Sequence, residues 1–161
     1  MRNKSFRWIV LSMFGMVGCA VADSPSRPPY DHVVCSNLGR HCAFISSSDG
    51  AKVFGVTVGN GNIPISYAIS GWYPQAYISD DGQKFVAVES VIVPSHLQDQ
   101  PVLRLWVGGV LQKSVYLNEI LGGRKPRKSS SGYVWGEVIG FHGDDRFVLQ
   151  LDDGSRYEIK L

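Results

Sequence analysis

The chain has 161 residues, 44% of them hydrophobic and 19% charged, with a formal net charge of +2. Those values exclude a disordered or collagen-like polymer and suit one globular domain. The positive charge is no argument for nucleic acid as a partner. Three of the 16 basic residues, Arg2, Lys4 and Arg7, sit in an N-terminal leader, and without them 13 basic residues face 14 acidic ones, a net charge near −1.

The leader, MRNKSFRWIVLSMFGMVGCAVA, places its basic residues ahead of an apolar stretch from Trp8 to Val17 and ends in Ala20-Val21-Ala22. This is the pattern of a secretory signal peptide over residues 1 to 22, cleaved after Ala22, and its apolar part is too short to anchor the chain across a bilayer. A periplasmic or secreted location is therefore expected. A lipoprotein signal competes: Cys19 would become the lipidated first residue and bring the protein to a membrane, although Met16 stands where a Leu-like residue is usual. Residues 23 to 30, DSPSRPPY, read as a proline-stiffened arm outside the core. Residues 31 to 161 read as a single all-β domain.

With Cys19 set aside, Cys35 and Cys42 remain as an even pair, which in an oxidising compartment favours a structural disulfide. Closing that short loop is worth roughly 2–3 kcal/mol in the chain-entropy account. The alternative for the same residues is a zinc site completed by His32 and His41.

Beyond the cysteines, alternation and β-branched enrichment predict strands over Cys42–Ser46, Lys52–Val58, Ile63–Ile69, Gln75–Ser79, Lys84–Val93, Val102–Val107, Val110–Leu117, Tyr133–Ile139, Arg146–Leu151 and Ser155–Lys160. Asp49-Gly50, Asp81-Gly82, Gly108-Gly109, Gly143-Asp144-Asp145 and Asp153-Gly154 separate them as turns. Only residues 117 to 121, LNEIL, suggest a helical turn, too short to carry weight.

Two stretches are alike: AFISSSDGAKVFGV at 43 to 56 and AYISDDGQKFVAV at 76 to 88, with Gly50 and Gly82 32 residues apart and a third such turn in LDDGSRYEI around Gly154. Together with PVLRLWVGGVLQKSVYL, they resemble blades of a β-propeller. A closed propeller needs at least four blades of roughly 40–50 residues, more than this chain supplies. The expected fold is all-β, an incomplete β-propeller-like or two-sheet antiparallel assembly built from repeated hairpins. Its open side calls for a protein partner.

Catalytic signals are lacking. Asp80-Asp81, Asp144-Asp145 and Asp152-Asp153 fall at turn tips, where Asp bonds its own backbone. His32, His41, His96 and His142 have no metal-ligand spacing. No G-x-S-x-G elbow, S-x-x-K or phosphate-cradling loop is present, so neither an enzyme nor a metal or other cofactor is expected.

The most distinctive segment is LGGRKPRKSSSGYVWG, residues 121 to 136. Arg124, Lys125, Arg127 and Lys128 crowd around Pro126 and are followed by Ser129, Ser130 and Ser131. It reads as a flexible, basic, hydroxyl-rich insertion suited to projecting into a partner's groove. Trp72, Tyr73, Trp106 and Trp135 form a second candidate: stacked on one face they would make a glycan platform, whereas in a strand repeat they belong to the core.

An exported, disulfide-bearing, propeller-like domain with one long serine-containing loop resembles the small periplasmic immunity proteins that neutralise type VI secretion amidase effectors. The resemblance implies a peptidoglycan hydrolase as partner, occluded by a loop whose serines block a Cys/His active site. By position the blocking role falls on Ser129, Ser130 and Ser131. An envelope structural or assembly protein and a carbohydrate-binding module are the competing readings.

Overall fold

The computed structural model describes residues 28–56, 65–89, 91–92, 101–128 and 133–161. The signal peptide with its cleavage site, Cys19, most of the proline-rich arm, Val58, Ile63, His96 and Ser129 to Ser131 lie outside those residues.

Strands β1 (His32–Cys35), β2 (His41–Ser46), β3 (Gly50–Gly55) and β4 (Ile65–Ile69) form an antiparallel meander in that order. The chain continues into β5 (Ala76–Ile78) and β6 (Lys84–Val88), leaves through β7 (Val91–Ile92), and returns as β8 (Pro101–Val107) and β9 (Val110–Tyr116), giving a second sheet ordered β5-β6-β8-β9. After α1 (Leu117–Leu121), β10 (Arg127–Lys128) and β11 (Tyr133–Val134) join β7 in a small sheet. A third meander, β12 (Gly136–Phe141), β13 (Arg146–Leu151) and β14 (Arg156–Lys160), ends the chain.

The three meanders stack because β6 is apolar on both faces. Phe85 and Ala87 share one core cluster with Ala43, Ile45 and Val53 of the first meander. Val86 and Val88 share the other with Phe147 and Leu149 of the third. Successive side chains of a strand point oppositely, so an uninterrupted apolar run is what a sheet covered on both sides needs. The opening strands converge, with β5 lying against β1, β2 and β12. No sheet among the described residues closes on itself. The chain is all-β and antiparallel, in keeping with the expected incomplete propeller-like or two-sheet assembly built from hairpins.

The repeat runs in a different register from the one expected. Gly82 lies in the β5–β6 turn, joining the first and second strands of its sheet, whereas Gly50 follows β2 and opens β3. The true counterpart of Gly82 is Gly39, 43 residues earlier, in the β1–β2 turn. Gly39 N–H donates to Ser36 O at 2.9 Å and Gly82 N–H to Ser79 O at 2.9 Å; Ser36 N–H reaches His41 O at 2.8 Å and Ser79 N–H reaches Lys84 O at 3.0 Å. Both serines are buried, and their hydroxyls accept the amides of His41 and Lys84. A spacing of 43 residues is that of a propeller blade.

Several expected elements change. His32–Cys35, not expected as a strand, is β1. The strand expected over Lys84–Val93 divides into β6 and β7 of different sheets, and that over Tyr133–Ile139 divides into β11 and β12 on either side of Trp135. The short helix matters more than expected, since Leu117, Ile120 and Leu121 all enter the core. Cys35 and Cys42 are directly opposite in the β1–β2 register and form a disulfide, so no thiolate remains there for a zinc site.

Candidate functional site

The basic segment is built onto the end of α1. Gly122 closes the helix in the left-handed region, φ 56°, with its N–H on Asn118 O at 3.0 Å. Arg124 then folds back on the helix end, donating from its backbone N–H to Leu121 O at 3.1 Å and from Nε at 2.8 Å. Its guanidinium pairs with Asp153 and donates to Ser155 Oγ at 2.8 Å. Arg127 Nε pairs with Asp152 Oδ2 at 3.2 Å. The Asp152-Asp153 turn between β13 and β14 therefore holds both arginines. Exposed ion pairs add little to stability, so their effect here is positional.

What they position is a hairpin rather than the flexible insertion expected. Arg127 is opposite Val134 and Lys128 opposite Tyr133, and β11 pairs in turn with β7. Four residues, 129 to 132, separate the paired Lys128 and Tyr133. The descending side is fixed by Trp135, which is 1% exposed and donates from Nε1 to Glu89 O at 3.1 Å. Lys125 and Lys128 are exposed, and among the described residues neither makes an ion pair. Half of the basic cluster is thus neutralised by Asp152 and Asp153, and the outward charge rests on the two lysines. A cavity of about 100 Å³ lies beneath the hairpin's base, between Leu121, Lys125 and Pro126 on one side and Trp135 and Leu151 on the other.

The Ser155 hydroxyl, the Ser155 backbone N–H and Arg124 hold the Asp153 carboxyl down to about 2, from an ordinary 3.8. A carboxyl whose folded value is depressed contributes above its unfolded value and loses that contribution as pH falls through the folded one. We therefore expect the Arg124 link to persist well below pH 3.8 and to release with a midpoint near pH 2, its contribution to stability being lost between those two values. Carbon-detected NMR titration of Asp153 checks this; a midpoint near 3.8 would show that the carboxyl is not held.

The other candidates have structural partners. Asp80 Oδ1 accepts Leu38 N–H at 2.7 Å, Asp81 Oδ1 accepts Gln83 N–H at 2.9 Å, and Asp144 Oδ1 accepts Asp81 N–H at 3.1 Å. These bonds tie together the first turns of the three meanders. Among the described residues no group of three His, Cys, Asp or Glu side chains is placed to hold a metal ion. The four aromatics form no single exposed platform: Trp72 and Tyr73 pack against the core cluster that holds the buried Trp106, with Tyr73 tilted on its ring, while Trp135 is buried in the other cluster.

The sequence singles out Arg124, Lys125, Arg127 and Lys128 but gives no sign that Asp152, Asp153 and Ser155 hold two of them. Acidic residues beside a turn glycine were the only signal, and turn chemistry accounted for them. A scan against protein families gives no match for this chain, and neither does a search of curated proteins.

Proposed function

We propose that this chain is an exported protein-binding module whose β10–β11 hairpin enters the cleft of a peptidoglycan-degrading amidase and occludes it, as in the periplasmic immunity proteins it resembles. The observation that carries the reading is the anchorage of the β10–β11 pair by Arg124–Asp153, Arg127–Asp152 and the buried Trp135. A projection fixed before binding loses less conformational freedom when it docks, which favours affinity. The hydroxyls of Ser129, Ser130 and Ser131 suit hydrogen bonding to a catalytic His, and Lys125 and Lys128 suit an acidic rim. A standard interface, on the order of 800 Å² per partner, would have to extend from the hairpin onto the neighbouring sheets.

The test is inhibition of a panel of peptidoglycan amidases by the oxidised protein and by a variant with Ser129, Ser130 and Ser131 all replaced by Asp. The wild type is expected to inhibit at least one of them. The variant is expected to keep its thermal midpoint and lose affinity by about 100-fold or more, the effect of removing a central hot spot. Equal inhibition by both proteins would remove the hairpin tip from the contact.

A further inference from the structure

The two ends of the sheet stack are finished differently. The β6 strand of the middle sheet is covered on both faces, and the first and third meanders stand at the two ends of the stack. On the third, charge alternates along β14, with Arg156, Glu158 and Lys160 opposite Gln150, Val148 and Arg146, and Arg146 Nη1 lies 3.8 Å from Glu158 Oε2. That surface is made for water.

On the first meander the outward side carries several exposed apolar residues beside Lys52. Val33 is directly opposite Phe44, which is opposite Lys52; Phe54 follows two residues on in β3, and Val56 lies just beyond its end. Val33 is 56% exposed, Phe44 38% and Val56 42%. An exposed apolar row across three strands marks an interaction surface. The chain enters β1 from the covered side, where Tyr30 lies edge-on to Trp72.

We propose that this outward face docks against the same face of a second copy of the chain. Its charges favour that occupant. Lys52 Nζ lies 3.8 Å from Asp49 Oδ2, both side chains being exposed at the margin of the apolar row. Asp31, also at the rim, is already held by the Ser47 N–H and hydroxyl. A two-fold contact brings each face onto itself, so a face carrying one acid beside one base can exchange partners between copies without opposing like charges. A strongly acidic or basic partner would find no matching excess here. The β10–β11 pair is anchored to the third meander through Asp152 and Asp153, so this contact leaves it clear.

The test is sedimentation of the oxidised protein over a concentration series, with Phe44→Asp, Lys52→Asp and the exchange pair Asp49→Lys with Lys52→Asp. The wild type is expected to dimerise, Phe44→Asp to weaken self-association by about 30-fold or more, and Lys52→Asp by about 10-fold, with the exchange pair restoring most of that loss. Circular dichroism checks that each variant folds; should Phe44→Asp fail, the Lys52 and exchange variants decide alone. A wild type that stays monomeric at every concentration, or a dimer untouched by the folded variants, would overturn the proposal.

Discussion

Gly82→Ala is expected to destabilise the fold by about 3 kcal/mol, against no more than about 1 kcal/mol for Gly39→Ala at the equivalent turn. Both glycines occupy the left-handed region, with φ of 70° and 68°. That conformation costs an L-residue about 1–2 kcal/mol, partly offset because Ala has less freedom than Gly in the unfolded chain. The difference lies in what surrounds them. A Cβ on Gly39 meets nothing within 4 Å, whereas one on Gly82 falls 2.3 Å from His41 Cδ2. The imidazole cannot simply move away, because its Nδ1 is bonded to Asp80 O at 3.0 Å. Substitution at Gly82 therefore forces the β5–β6 turn off the first meander. Thermal unfolding of the oxidised variants checks this, with a fall of about 10 °C for Gly82→Ala and a few degrees for Gly39→Ala. Equal effects would mean that the two meanders are not seated on each other through this turn.

Trp135→Ala is expected to cost about 3–5 kcal/mol, the range for removing a large aromatic from a packed core. Trp135 lies between β11 and β12, where the chain passes from the small sheet into the third meander, so its loss acts on both. Its indole fills the core cluster shared with α1 and the second and third meanders. Trp135→Phe keeps much of that packing and loses the Nε1 bond to Glu89 O, worth about 1 kcal/mol, besides some volume. The variants should separate stability from function. Amide exchange across Arg127, Lys128, Tyr133 and Val134 is expected to rise in Trp135→Ala before the meander strands open, because the hairpin loses its fixed exit. Uniform exchange across the domain would mean that the hairpin is held by its arginines alone.

The all-β character was plain in the sequence because the turn residues are chemically specific. Asp-Gly pairs at 81–82 and 153–154 stand where a left-handed residue is required, and Gly82 and Gly154 both have positive φ. The same clarity misled the register. Gly50 and Gly82 share an acidic neighbour and an aromatic strand before it, yet the turn that repeats is Ser-x-x-Gly, seen in SNLGRH and SDDGQK. Its signal is a buried serine hydroxyl that caps the amide five residues on. SNLGRH has no acidic residue before its glycine and so lacks the Asp-Gly signature of the other turns. The breaks at Glu89 and Trp135 were hidden for another reason: each falls inside a continuous run of strand-forming residues, and a chain that changes sheets keeps its alternation. The hairpin's anchors were beyond reach, since Arg124 and Asp153 are 29 residues apart and nothing local pairs them.

The central claim is that this scaffold binds a cell-wall hydrolase. It is tested most directly by capturing partners on the tagged, oxidised protein, identifying them by mass spectrometry and assaying the captured material on peptidoglycan. The account predicts recovery of an amidase whose hydrolysis is suppressed while bound and returns on release. Recovery of envelope proteins alone, with peptidoglycan hydrolysis unaffected by the protein, would contradict it.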